Sequence, residues 1–233
     1  MMKDIQENKL LFLDIETCGS YATIEELEEK NIILNNLWNK MGDSYFKRHY
    51  PEDERMSKGE LFKKYAGLLP EFGKIVCVSV GFINGGKRKI QSFTKGSEKE
   101  ILEETVNLLN RVYKLDFSLC GHNIKNFDLP YLGKRMLINK IKPSPLMPSY
   151  DTKPWEIKAL DTKELWNFGS YKGLSALHLV CGVLGLDTPK DGKVDGSNIH
   201  KSYYTDNNIS EIKEYCEKDV NALMDIISHV KSL

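Results

Sequence analysis

The amino-acid sequence predicts an α/β domain in which helices flank a mixed central sheet. Short apolar segments with the composition of β-strands recur along the chain, and segments with helical periodicity lie between and after them. A length of 233 residues fits one domain. We therefore expect a single domain over residues 1–233.

The predicted strands are short apolar runs bounded by turn residues. Asn84-Gly85-Gly86 separates two of them and is typical of a hairpin turn. The run from Lys74 to Ile83 is rich in valine and isoleucine, as strands generally are. The predicted strands are Leu10 to Thr17, Lys74 to Ile83, Lys87 to Phe93, Phe117 to Cys120 and a short one that ends at Asp161.

Capping residues indicate where the helices begin. Ser57 with Glu60, and Ser97 with Glu100, have the spacing of a capping box. Two of the helices fall between the first two strands, so a helical insertion is predicted at about residues 20–70. Helices are predicted after Thr23, Ser57, Ser97 and Ser210, near Asp128, after Asp161, and across Gly173 to Leu186.

Composition limits the classes of protein to which this chain can belong. The formal net charge is zero, so no global positive field attracts a polyanion, although an enzyme that binds one transiently remains possible. The five cysteines show no Cys-x-x-Cys spacing, and we interpret them as buried reduced thiols. We expect neither a membrane span nor a signal peptide, and hence a cytoplasmic protein without a membrane partner.

Two acids interrupt the first apolar strand. Side chains on a strand alternate between faces, so Phe12, Asp14 and Glu16 share one face. Two adjacent carboxylates on a core strand repel each other and lose hydration, and a divalent cation relieves both penalties. The alternative is a strand end that emerges into solvent with two surface acids.

A third acid lies inside the apolar stripe of the last predicted helix. Asp219 stands three residues after Cys216 and four before Leu223, both of which belong to the stripe. Aspartate is rarely buried without a partner, so this residue needs a cation or a strong hydrogen-bond donor. Tyr215 precedes it by four residues and lies on the same helix face.

Asp128 and Asp161 each stand near the start of a predicted helix. A negative charge near the first turn of a helix interacts favourably with the helix dipole, so capping is one interpretation of both residues. For Asp161 we favour that interpretation. His122 is a lone histidine, which we interpret as a structural hydrogen-bonding residue outside any catalytic group.

Three stretches taken together resemble the exonuclease motifs of the DEDD family of 3′-5′ exonucleases. They are Asp14-Ile15-Glu16, the segment Gly121 to Pro130 with its Asn-x-x-x-Phe-Asp pattern, and Tyr215-Cys216-Glu217-Lys218-Asp219. The Tyr-x-x-x-Asp form of the third is similar to the DEDDy subgroup. The chain resembles predicted exonucleases related to the proofreading domain of family-B DNA polymerases.

This resemblance implies a ribonuclease-H-like fold and a two-metal site with Mg²⁺ or Mn²⁺. By resemblance, Asp14, Glu16 and Asp219 bind the first ion, and Asp14 with Asp128 holds the second. The resemblance also implies that Tyr215 orients the attacking water. The residues that it places at the substrate or the site backbone are Thr17, Asn123 and Phe127.

The implied activity is release of nucleoside 5′-monophosphates from single-stranded 3′ ends by metal-dependent hydrolysis, with DNA favoured over RNA. An exoribonuclease and a non-catalytic nucleic-acid-binding module on the same fold are the alternatives. The insertion at about 20–70 either covers a sheet edge with solvated helices or forms a lid. The second option follows from its interleaved basic and aromatic side chains, which can hold a single strand.

Overall fold

A five-stranded mixed sheet forms the centre of the computed structural model, which describes residues 6–50, 55–149, 151–170, 173–188 and 194–233. The strand order is β3-β2-β1-β4-β5. β1 pairs antiparallel with β2 and parallel with β4, which confirms the predicted mixed sheet. The strands are β1 (Leu10–Gly19), β2 (Gly73–Asn84), β3 (Lys87–Phe93), β4 (Ser118–Gly121) and β5 (Ala159–Asp161).

Helices cover both faces of the sheet. The helices are α1 (Ile24–Lys30), α2 (Ile32–His49), α3 (Lys58–Tyr65), α4 (Glu98–Tyr113), α5 (Asp128–Ile138), α6 (Thr162–Asn167), α7 (Leu177–Leu184), α8 (Ile199–Tyr204) and α9 (Ile209–Ser232). Residues of α4 and α5 pack on one face, and residues of α9 pack on the other. α1, α2 and α3 follow β1 and pack around a separate cluster that contains Trp38 and Phe62. Within the described ranges, no helix combines the length and the apolar character needed to cross a bilayer.

The central strand β1 shows the predicted alternation of side chains. Leu11, Leu13 and Ile15 belong to the cluster formed with α4 and α5. Leu10 and Phe12 belong to the cluster formed with α9. The period of two predicts that Asp14 and Glu16 share the face of Phe12, and in the structure this face turns toward α9.

Most of the predicted helix starts are confirmed. The Thr23 side chain accepts a hydrogen bond from the Glu26 amide, and complete capping boxes form at Ser57 and at Ser97. The Asn84-Gly85-Gly86 hairpin is also confirmed, with positive φ at both glycines, where the absence of a side chain avoids steric strain. All five cysteines are buried and free, as expected.

Two predicted helix boundaries are wrong. The last helix is capped by Asn208, whose side chain accepts from the Glu211 amide at 3.3 Å, and Ser210 donates to that same side chain. Asparagine caps a helix as well as serine, so local composition did not decide between them. The helix predicted from Gly173 begins only at Leu177. Leu174, an apolar residue that contributed to the predicted pattern, is 82% exposed.

A nearly buried ion pair fastens α5 to α4 and to β2. The Arg135 guanidinium donates two hydrogen bonds to the Glu98 carboxylate, one of them at 2.7 Å, and a third to the Pro70 carbonyl. Glu98 also accepts from the Ile75 amide of β2 at 2.8 Å. This pair therefore fixes the helix that begins with Asp128.

We expect Arg135→Met to lower the free energy of unfolding by about 3–5 kcal/mol, because it leaves the Glu98 carboxylate buried without its cation. Lys134→Met is the matched control, since Lys134 pairs with Glu71 on the exposed surface. Loss of this exposed pair should lower the free energy of unfolding by less than about 1 kcal/mol. Urea unfolding curves measure both values. Equal losses in the two variants would contradict a special contribution from the buried pair.

Candidate active site

The edge of β1 beyond Phe12 is where α5 contributes a carboxylate. β4 pairs with β1 only from Leu10 to Phe12. Further along, the Ile15 amide donates to Asp128 Oδ1 at 3.2 Å. Asp128 is buried and is the first residue of α5 rather than its N-cap. A carboxylate 113 residues away in the sequence is thus held against the backbone between the two acids of β1.

Asp14 and Glu16 lie at a local irregularity of β1. The register between β1 and β2 shifts between Glu16 and Thr17, which is typical of a β-bulge. Glu16 is 7% exposed and Asp14 is half-buried, so neither acid stands on an open strand end. Carboxylate oxygens of both residues and the Cys216 sulfur lie within 4.8 Å of one another.

The helix α9 contributes three side chains to the same region. The Cys216 thiol donates to Asp14 Oδ2 at 3.1 Å. Asp219 is 7% exposed, so the acid inside the apolar stripe is buried as the sequence predicts. Tyr215 is half-buried beside it. The contact of Cys216 with Asp14 escaped the sequence analysis, in which Cys216 counted only as a member of the apolar stripe.

The electrostatics of the site are those of crowded, desolvated acids. Burial, and after it the negative charges of Asp219 and Glu16, raise the pKa of the Asp14 carboxyl well above its usual range. Burial, followed by the charge of Asp219, raises the pKa of Glu16 in the same way. Burial raises the pKa of Asp128 to about 7. The protein therefore concentrates negative charge here at a cost that a cation would relieve.

The pKa values of two neutral hydrogen-bond donors beside the acids are also raised. Burial, and then the negative charge of Asp219, raise the pKa of the Tyr215 phenol. Burial raises the pKa of the Cys216 thiol well above its usual value. Both groups therefore keep their protons at neutral pH and can donate hydrogen bonds to acids or to water.

The predicted substrate-contacting residues lie in two different places. Thr17 and Phe127 line a groove of about 120 Å³ that also reaches Glu16. Asn123 is not one of the described residues that line this groove, and its side-chain oxygen accepts from Lys163 at 3.2 Å. The remaining residues that line the groove are Ile15, Cys18, Lys63, Lys64, Gly67, Leu68, Gly196, Ser197 and His200.

Asp161 and His122 have the structural partners that the sequence analysis expects of them. Asp161 accepts from the backbone amides of Lys163, Asn123 and Lys125, so it caps α6 and holds the loop after β4. The His122 ring contacts the Thr162 hydroxyl and the Ser175 carbonyl.

The donor set fits a hard divalent cation. Asp14 and Glu16 present carboxylate oxygens at metal-binding spacing, and Asp128 and Asp219 raise the local negative charge. Oxygen ligands of this kind suit Mg²⁺ or Mn²⁺. The Cys216 thiol, protonated and donating to Asp14, is placed to orient a carboxylate.

Comparison with known proteins adds a family match and a fold match. A family model described as "Predicted 3′-5′ exonuclease related to the exonuclease domain of PolB" matches residues 68–224, a range that includes Asp128, Tyr215 and Asp219 and begins after Asp14 and Glu16. No curated protein matches the chain.

Among solved structures, the family B DNA polymerase from the hyperthermophilic archaeon Pyrobaculum calidifontis is similar with a TM-score of 0.59 and 14% sequence identity. The similarity covers 94% of this chain and 24% of the polymerase chain, so this chain matches about a quarter of that protein. At this identity the likeness concerns the fold, and it confirms the expected ribonuclease-H-like architecture.

Asp219→Asn should stabilise the protein in EDTA at high pH. A raised folded-state pKa means that Asp14 and Glu16 contribute most to stability below their unfolded pKa of about 4, and that this contribution is lost as pH rises through the folded value. Removing the charge of Asp219 relieves the repulsion that appears at high pH. We expect Tm to rise by about 2–4 °C at pH 8 and by less at pH 5.

Circular-dichroism melts at both pH values measure this effect. Asp116→Asn is the control, because Asp116 is exposed and has a positive φ that asparagine tolerates. A Tm that falls in EDTA at pH 8 in the Asp219 variant would show that the carboxylates do not repel each other in the folded protein.

Proposed function

From the premise that this chain belongs to the family of predicted 3′-5′ exonucleases related to the exonuclease domain of PolB, we propose that it hydrolyses single-stranded DNA from the 3′ end in a metal-dependent reaction. The products are nucleoside 5′-monophosphates. The observation that carries the proposal is the meeting of carboxylates from β1, α5 and α9 at one buried place.

In this proposal the carboxylates hold two ions of Mg²⁺ or Mn²⁺. Asp14, Glu16 and Asp219 bind one ion, and Asp14 with Asp128 binds the other. When bound, the ions would activate water and stabilise the leaving oxygen of an in-line displacement. The Ile15 amide orients Asp128, and the Cys216 thiol orients Asp14, so two of the ligands are held before any cation arrives.

Tyr215 positions the attacking water through its hydroxyl. Its raised pKa keeps the phenol protonated at neutral pH, so it acts as a hydrogen-bond donor and not as a base. After burial, the negative charges of Asp219, Glu16, Asp14 and Asp195 raise this pKa, and the first three support a position beside the proposed metal ligands.

The groove beside Glu16 supports a single-stranded substrate. Phe127 lines it and is half-buried, so part of its ring can stack on an unpaired base. The zero net charge supports transient binding that depends on local contacts. The choice of DNA is supported by the fold neighbour, which is a DNA polymerase.

Digestion of oligonucleotides labelled at the 3′ or the 5′ end tests the activity. We expect stepwise shortening of single-stranded DNA from the 3′ end, faster than for blunt duplex, with loss in EDTA and recovery with Mg²⁺ or Mn²⁺. A 3′-phosphate should slow the reaction. Circular single strands are the control, because an exonuclease needs an end. Undiminished cleavage after chelation would exclude the metal mechanism.

The same assay separates the alternatives. Preferential shortening of RNA would identify an exoribonuclease. Strand binding without cleavage in the presence of both metals would identify a non-catalytic module.

Tyr215→Phe should lower kcat by roughly ten- to a thousandfold and change KM less, because the lost hydroxyl acts on water in the transition state. Mn²⁺ affinity measured by calorimetry should stay near the wild-type value, whereas Asp219→Asn should weaken it. Tyr113→Phe, at an exposed tyrosine of α4, is the control. Wild-type single-turnover rates for Tyr215→Phe at saturating metal would show that this residue only packs.

A further inference from the structure

The groove next to Glu16 has one wall that comes from α3, a helix that lies outside the matched residues 68–224. Phe62 and Tyr65 are 0% and 5% exposed and anchor this helix, while Lys63 and Lys64 between them are exposed and line the groove. The period of the helix thus places two lysines in the lining of the groove that also reaches Glu16.

The position of this wall is set by close packing against β1. A methyl group built on Gly67, just after α3, would lie 3.0 Å from the Cα of Cys18, so only glycine lets the turn approach the strand this closely. The Tyr131 hydroxyl of α5 donates to the Gly67 carbonyl at 2.9 Å. The turn that follows α3 is therefore fastened to β1 and α5, two of the three elements that carry the acids.

The histidine that lines the groove adds no positive charge. His200 of α8 lines the groove, where its Nδ1 accepts from the Gly19 amide at 3.2 Å and its Nε2 donates to the Ala22 carbonyl at 3.0 Å. Burial lowers the pKa of this ring, which keeps it neutral. Among the described residues lining the groove, the positive charge belongs to Lys63 and Lys64.

We propose that Lys63 and Lys64 bind a backbone phosphate of the single strand that enters the groove toward Glu16, so that α3 is a phosphate-binding wall of the active site. This inference rests on the proposed exonuclease function for the direction of the strand. Lysines in the last turn of a helix also interact favourably with the helix dipole, but that interaction does not require them to line a groove. In a protein of zero net charge, two lysines in the groove that reaches Glu16 would supply a local attraction for the polyanion that the net charge does not.

Fluorescence anisotropy with a labelled DNA single strand in EDTA tests this wall without hydrolysis. The wild type is compared with the double variant Lys63→Gln/Lys64→Gln across a salt series. We expect the slope of log affinity against log salt to fall by about 0.7 for each lysine that contacts a phosphate. Lys58→Gln, at the exposed first residue of the same helix and outside the groove lining, should keep the wild-type slope.

A second measurement locates the phosphate. Strands with one neutral methylphosphonate at successive linkages from the 3′ end are bound to both proteins. At the contacted linkage the neutral substitution should weaken the wild type but not the double variant, whereas elsewhere the two losses should add.

Equal slopes in the wild type and the double variant, an equal loss in Lys58→Gln, or no binding by the wild type at low salt would overturn the proposal. These outcomes do not depend on cleavage. Failure of the labelled-strand digestion would therefore defeat the exonuclease function separately from the phosphate-binding wall.

Discussion

The burial of like-charged carboxylates on the central strand is the constraint on which the site depends. Glu16 is buried and Asp14 is half-buried on β1, and Asp219 reaches them from an apolar helix face. Their repulsion opposes the packing of α9 on the sheet. The apolar contacts of Phe12 with Val220 and its neighbours in the same cluster offset that repulsion. Apolar packing thus holds together carboxylates that would otherwise move apart into water.

The same constraint explains why neutral donors surround the acids. A buried thiol and a half-buried phenol beside carboxylates keep their protons, because ionisation would add another negative charge. Cys216 can therefore orient Asp14, and Tyr215 can present a hydroxyl, without further charge. The backbone amide of Ile15 likewise donates a hydrogen bond that orients Asp128 without adding a charge. The bidentate contact of Arg135 with Glu98 then holds the helix that carries Asp128.

The helices α1, α2 and α3 bear on the two interpretations of residues 20–70. Their own apolar cluster, with Trp38 between Phe62 and Phe72, is compatible with a cover over the sheet. The placement of Lys63 and Lys64 in the groove beside Glu16 is what a substrate-contacting wall requires. The two interpretations concern different faces of these helices, because the buried face of α3 packs in the cluster and its exposed face lines the groove.

Local sequence patterns were enough to predict the strands, the hairpin, four of the helix caps and the faces on which Asp14, Glu16 and Asp219 lie, because each of these depends on neighbours within a few residues. The motif resemblance supplied the expectation that Asp128 joins them. Tertiary structure alone decided that the Asp128 carboxylate meets the Ile15 amide, that Cys216 touches Asp14, and that Asn123 turns to Lys163 instead of the groove. It also decided the true cap of α9, the late start of α7 and the position of Lys63 and Lys64 in the groove. These features depend on packing between segments far apart in the chain, and a sequence period carries no information about which distant segment a side chain will meet.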